Sequence, residues 1–372
     1  METQTVPWWK TDLGGPEIES VAAAIRGRHI NGGPVCRELE ARLAARLGVP
    51  HVTVTGSGSA ALLAAIKACG VAAGDEVVIP ALGFVAPAHA ALLAGATVRL
   101  ADVRADRPLV DPAAVAAAVT PRTKAIVAIH LGGAACDIDT IKSIAAPRGI
   151  AVIEDAAQAF ASAGPSGPLG TLADAGAFSM GITKLITSGE GGFVATADDR
   201  RHEQALRFRN HGTLAIADNV FPQPGFNLRL TDMQAALVLP QLDRLDERIA
   251  GVTRVYEFYR RELKDLHYLR LIESNIAGGE APLWTQVLCA DRPRVMTLLA
   301  EQGIQTRPFH PPLSLSPHLQ CPGDFPRAAF WSDAGLILPS GPDQPPQNLE
   351  RTVGALRRIA TAITAKAPYA LR

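Results

Sequence analysis

The sequence predicts an α/β fold: a three-layer α/β/α large domain on a mainly parallel seven-stranded sheet, followed by a smaller C-terminal α+β domain. Three observations predict it. Between about residues 50 and 200, short β-branched runs alternate with Ala/Leu-rich segments of helical length, the pattern of parallel strands joined by crossover helices. Beyond residue 230 this alternation gives way to a long helical stretch and then a Pro-rich, mixed region. The 372 residues and 48% hydrophobic content suffice for one large core and a second, smaller one. The expected division is residues 1–245 for the large domain with its N-terminal segment and 246–372 for the small one.

The strands come in a clear order. HVTVTG leads into the helix SAALLAAIKACG, and DEVVIP leads into APAHAALLAG. ATVRLADV, KAIVAIHL, IAVIEDAA, AGAFSM and GGFVAT complete the set of seven. Runs this apolar suit strands covered by helices on both faces. In LTDMQAALVLPQLDRLDERIAGVTRVYEFYRREL, Thr231 and Gln234 form a capping box, and the helical pattern is expected to break at Pro240. After that break Leu242, Leu245, Ile249 and Val252 recur at steps of three and four, one apolar stripe on a long helix expected to link the domains. The remainder holds APLWTQVLC, the amphipathic PRVMTLLAEQG, the Pro-rich loop TRPFHPPLSLSPHLQCPGDFP and the helix PPQNLERTVGALRRIATAIT.

Lys plus Arg and Asp plus Glu both number 36, so no global field draws nucleic acid or an anionic membrane to the protein. Cys36, Cys69, Cys136, Cys289 and Cys321 contain no CxxC pair, which suits neither a structural zinc site nor a disulfide framework. Free thiols are expected, and no metal. METQTVPWWKTDLGG has no basic flank before an apolar core, and no later apolar run reaches the roughly 18 residues that a membrane span needs. A soluble, cytoplasmic protein is expected.

The strand IAVIEDAAQ ends in Glu154-Asp155, and ligands of parallel sheets gather at the carboxyl ends of the strands. Asp155 there either meets a ligand or merely caps the following helix. Lys184 lies just past the next strand, in FSMGITKLITSGEGGF, among glycines and small hydroxyl residues. It reads either as a solvated loop lysine or as a desolvated amine able to attack a carbonyl and form a Schiff base. TGSGSAAL sets Gly56, Ser57, Gly58 and Ser59 between a strand and a helix, so helix-start amides and the Ser59 hydroxyl could hold a dianionic phosphate. A glycine-rich turn that binds nothing would look the same, and the stretch is neither GxGxxG nor a Walker motif. Together, a phosphate seat, an acid for a ring nitrogen and a lysine for an aldehyde meet the needs of pyridoxal 5'-phosphate.

Over most of its length the sequence resembles the DegT/DnrJ/EryC1/StrS family, pyridoxal-phosphate-dependent sugar aminotransferases of the aspartate aminotransferase fold (fold type I). The resemblance rests on GSGSAALLAA, GDEVVIPALGFVA, IEDAAQA, FSMGITKLITSGEGGFVAT, RNHG, GFNLRLTDMQAAL and ILPSGP, in the family's order. Carried over position by position, it implies that Lys184 forms the Schiff base with the cofactor, Asp155 contacts the pyridine nitrogen and Gln158 bonds the 3-hydroxyl. It places Phe84 against the ring and Ser59, Ala60 and Ser179 on the phosphate. Asn227 of GFNLRL should reach that phosphate from a second subunit, so a homodimer with shared active sites is implied. The implied activity is ping-pong transfer of an amino group from an amino acid, glutamate or glutamine, to a nucleotide-linked keto-deoxysugar, with pyridoxamine 5'-phosphate as the half-reaction form.

Departures from the family's pattern fall on the substrate side. Phe160 stands where the family usually has His, PLH reads Pro312-Leu313-Ser314, and HLYG reads His130-Leu131-Gly132-Gly133. The ring lost at Gly132 is expected to widen or reshape the sugar side of the pocket. Arg229 is a candidate for a donor carboxylate or nucleotide phosphate, or else simply pairs with a neighbouring acid, and His310 is a candidate for the pocket wall, although a water-exposed loop is the commoner setting for such a histidine. Trp8-Trp9 by default pack, or else cover the cleft or the dimer contact. A deoxysugar dehydratase of the family would carry histidine at the Lys184 position. A cyclitol (inosose) aminotransferase would differ only in pocket residues, and a non-catalytic regulatory protein of this fold would have little reason to keep lysine, aspartate, glutamine and serine together.

Overall fold

The structure, a computed structural model, describes residues 5–321 and 323–363. Pro322 of the Pro-rich loop and Thr364, at the end of the expected last helix, lie outside the described residues. The seven expected strands all form. They are β1 (His51–Thr55), β2 (Glu76–Pro80), β3 (Thr97–Ala101), β4 (Thr123–Ile129), β5 (Ala151–Asp155) and, after a separate short hairpin of β6 (Ala163–Gly164) and β7 (Gly167–Pro168), β8 (Ala175–Ser179) and β9 (Gly192–Thr196). Their order in the sheet is β1-β9-β8-β5-β4-β2-β3, with β9 alone antiparallel to its neighbours. Val77, Val78 and Ile79 are fully buried on successive positions of β2, because helices cover both faces. This pairing puts the carboxyl ends of β1, β2, β4, β5 and β8 along one edge, together with the start of β9.

A second, antiparallel sheet takes the order β10-β11-β13-β12, from β10 (Leu269–Leu271), β11 (Gln286–Cys289), β12 (Arg307–Pro308) and β13 (Gly335–Ile337). It has its own core of Tyr259, Tyr268, Val287, Val295, Leu336 and Leu356. Residues at the N-terminal end lie between the two sheets. Val6 bridges to Ile304 and Trp9 to Ser340, while the Trp9 indole N–H donates to the Ile182 carbonyl at 3.0 Å.

The helical stretch after residue 230 divides, but not at its proline. One helix, Asp232–Asp243, runs through Pro240, and the next, Leu245–Glu262, begins after Arg244. The expected break at Pro240 is thus corrected by four residues. Proline removes one N–H from the ladder, yet here the buried Gln241 amide stitches the turn by donating to the Leu237 carbonyl at 2.7 Å. The same amide exchanges two bonds with the Thr187 backbone, donating at 2.8 Å and accepting at 2.9 Å. The capping box of Thr231 and Gln234 is present, and Leu245 and Val252 are buried with Leu242 and Ile249 packed beside them.

Candidate active site

Asp155 ends β5 and is 4% exposed, with Oδ1 accepting the Ala157 amide at 3.0 Å. Burial pushes its carboxyl up from the ordinary value, against the pull of that amide and of the Lys184 charge. Glu154, one residue earlier, points to the other face of the pleat. It is fully buried and accepts four bonds: His130 Nε2 at 2.9 Å, and the amides of Gly170, Leu172 and Ala173 at 2.8, 2.6 and 2.9 Å. The Cys136 amide donates to His130 Nδ1 at 3.1 Å, which leaves the imidazole proton on Nε2, facing Glu154. His130 in turn donates its own amide to the Asp155 carbonyl at 3.0 Å. Asp155 therefore stands on a framework of buried bonds.

Lys184 lies five residues beyond Ser179, the last residue of β8, in a loop held from three sides. Trp9 and Thr11 bond the Ile182 carbonyl, the buried Arg248 donates to the Leu185 carbonyl at 3.0 Å, and Gln241 clamps Thr187. The lysine is half-buried, forms no ion pair with any described residue, and has its Nζ 5.2 Å from the ring centroid of Trp284. Burial brings its amine down from 10.5 to about 8, with the Asp155 charge opposing. At pH 7 about one such amine in ten is neutral, against about one in three thousand for an ordinary lysine. The reaction of Lys184 with an aldehyde should accordingly rise with pH and level off above about 8. Reaction rates measured on apoprotein, with the adduct mapped by mass spectrometry, check this; a midpoint near the ordinary lysine value contradicts it.

The helix Gly58–Ala68 starts at the same edge. Ser57 caps it, its hydroxyl accepting the Ala60 amide at 3.1 Å, so that amide is already engaged. A Cβ on Gly58 would come within 2.7 Å of the Ser179 Cβ, so only glycine lets the helix start stand against β8. Ser59 is exposed, and Ser179 Oγ accepts the Gly181 amide at 3.2 Å. The GFNLRL segment passes beside this cradle, since the Gly56 amide donates to the Leu228 carbonyl at 2.8 Å. Asn227 is exposed there, and Arg229 donates to Asn210 Oδ1 at 2.7 Å, a neutral partner and not an acid.

Phe84 follows β2 and is 52% exposed, its ring 5.5 Å from that of His310. The expectation of a water-exposed loop histidine is corrected: His310 is half-buried, and burial, with the charges of Lys184 and Arg307, pushes its pKa down. Gln158 accepts the Gly132 amide at 2.8 Å. Gly132 has φ 65°, in the left-handed region. Yet the space a side chain would take there is not left open, because Gln286 Oε1 lies 2.7 Å from the position of a Cβ. Trp284 and Gln286 escaped the sequence reading. Their period-two spacing entering β11 was the available signal that both share one face.

These residues fit pyridoxal 5'-phosphate: a glycine-edged helix start, a buried acid at a strand end, an exposed aromatic face and an amine with lowered basicity meet at one edge of the sheet. Residues 12–357 match the DegT/DnrJ/EryC1/StrS aminotransferase family. The chain belongs to this family. It is a pyridoxal-phosphate-dependent aminotransferase. GDP-perosamine synthase of Caulobacter vibrioides is 34% identical to it over 331 residues, 87% of this chain and 89% of that one. Spore coat polysaccharide biosynthesis protein SpsC of Bacillus subtilis is 31% identical over 93% of this chain and 95% of its own. DesV of S. venezuelae, solved in complex with a ketimine intermediate, superposes with a TM-score of 0.91 at 29% identity, covering 96% of this chain and 99% of that one. DesI, solved in the presence of its TDP-sugar product, gives 0.90 at 30% identity over 97% and 94%.

Proposed function

We propose that this aminotransferase moves an amino group from an amino acid, glutamate or glutamine, to a nucleotide-linked keto-deoxysugar, in a ping-pong cycle run by a homodimer with shared active sites. The observation that carries the reading is the half-buried Lys184 amine, brought down to about 8, which shares a sheet edge with buried Asp155 and the Gly58 cradle. A relative that makes GDP-perosamine and a neighbour solved with a TDP-sugar product support the sugar-nucleotide class.

When bound, pyridoxal phosphate supplies an electron sink for the carbanion formed at the donor's α carbon. Lys184 would hold the cofactor at its aldehyde and, as a free amine, would carry the proton that leaves the donor's α carbon. Asp155 would keep the pyridine nitrogen protonated, Gln158 would bond the 3-hydroxyl, and Phe84 would cover the ring. Ser59, Ser179 and the free amides at the helix start would hold the phosphate. Asn227 completes that seat from the partner subunit. Arg229 and His310 border the substrate.

Asp155→Asn should still bind cofactor but lose turnover by about a hundredfold or more, the scale of removing one preorganised electrostatic partner. Single-turnover kinetics on loaded protein measure this, and near-wild-type rates would contradict the role. Hybrid dimers pairing Lys184→Ala with Asn227→Ala subunits test the shared site. If Asn227 acts across the interface, one site of each hybrid is intact and half the wild-type activity returns; if it acts within its own subunit, no activity is gained on mixing.

The reading as a whole is tested by giving the loaded protein a panel of amino-sugar nucleotides and free aminocyclitols. The expected result is loss of the bound-cofactor absorption band with the amino-sugar nucleotides, and a keto-sugar nucleotide detected by mass. A response to aminocyclitols alone, or to no amine at all, sinks it.

A further inference from the structure

We infer that Trp284 is a positioning residue for Lys184, its indole face holding the lysine ammonium whenever the amine is not joined to the cofactor. The inference rests on the reading of Lys184 as the cofactor lysine. Nζ lies 5.2 Å from the ring centroid, inside the range where an ammonium is drawn to the negative face of an indole. Trp284 is 7% exposed and packs with Trp8 at steeply inclined planes, centroids 6.2 Å apart, so its ring is held in place beside the lysine.

Two further observations set this ring apart from ordinary packing. Its Nε1 is buried without a hydrogen-bond partner among the described residues, so none of them fixes the indole through a polar bond; buried tryptophans usually have one. Lys184 meanwhile has no ion pair among the described residues. The charge that acts on it is that of Asp155, from the end of β5; His310, from the loop after β12, has its own pKa pushed down by burial and by the lysine, and the Trp284 ring stands 5.2 Å from Nζ.

The chemistry needs such a surface. A lysine displaced by the amino donor must stay within reach of the α carbon, because a side chain free to swing into solvent would have to be re-ordered before each proton transfer. An ion pair would hold the ammonium too firmly to give up its proton. An aromatic face holds the charged form more weakly and releases the neutral one.

The test uses apoprotein carrying tryptophans with one, two or three ring fluorines, which drain the negative face stepwise at nearly constant shape. Competitive labelling of amines across pH, read on the Lys184 peptide by mass spectrometry, gives the pKa of that one group. It should fall with each fluorine, by about one unit across the series. The trend should vanish in Trp284→Phe, which retains Trp8, Trp9 and Trp331. Borohydride reduction of loaded protein, followed by peptide mapping, is run alongside. A flat series with cofactor fixed on Lys184 overturns the inference alone; cofactor fixed on another residue overturns the reading beneath it as well.

Discussion

Lys184→Ala is expected to leave a folded protein that cannot be covalently joined to its cofactor and turns over at least about 10⁴-fold more slowly. Loss of a positioned proton carrier by itself accounts for about 10²–10⁴, and loss of the covalent anchor adds to it. The fold should survive, since the half-buried side chain makes no ion pair among the described residues. A pH signature separates this variant from a merely damaged one. The amine binds its proton less tightly in the folded protein, at about 8, than in the unfolded chain, at 10.5. Between those values the unfolded chain holds more protons, so this group makes stability rise with pH across that window. Lys184→Ala should lose that rise. Borohydride trapping and urea unfolding at several pH values read both effects. A reducible adduct that persists in the variant removes Lys184 from its role.

Glu154→Ala should cost about 3–5 kcal/mol of stability, because several buried donors lose their acceptor at about 1–3 kcal/mol each and part of that loss is relieved by relaxation. The substitution leaves His130 Nε2 and the amides of Gly170, Leu172 and Ala173 without their acceptor, all of them packed against the end of β5. Glu154→Gln should fall short of full rescue, because every partner of the carboxylate is a donor and one arm of the amide would then face donors. Because His130 also bonds the Asp155 carbonyl, cofactor affinity should fall together with stability. Chemical denaturation of the apoprotein decides the matter, and a cost below about 1 kcal/mol would mean that this buried network contributes little.

The seven strands were legible because helices on both faces demand near-continuous apolar runs, and such runs survive in the sequence. The antiparallel setting of β9 was not, since an apolar run does not show which way its strand points; β9 reverses against both β8 (Phe193 against Phe178) and the distant β1 (Phe193 against Val54). Pro240 misled for a related reason. The rule that proline ends helices is local, whereas the bonds of Gln241 to Leu237 and Thr187 that carry the helix through it include a tertiary one. His310 looked like a solvent-facing loop residue because the Phe84 ring that meets it and the Lys184 charge that acts on it are both far away in sequence.

What the sequence determined by itself was the set of elements, the positions of Lys184, Asp155 and the Gly58 turn next to strand ends, and, through motifs in order, the family. Periodicity, caps and turn residues are properties of neighbours along the chain, so they can be read there. Tertiary structure decided the chemical character of those positions: the lowered basicity of Lys184, the indole face beside it and the Gln286 side chain over Gly132. Desolvation and contact are sums over atoms that folding gathers from separate segments, and no stretch of sequence contains that sum.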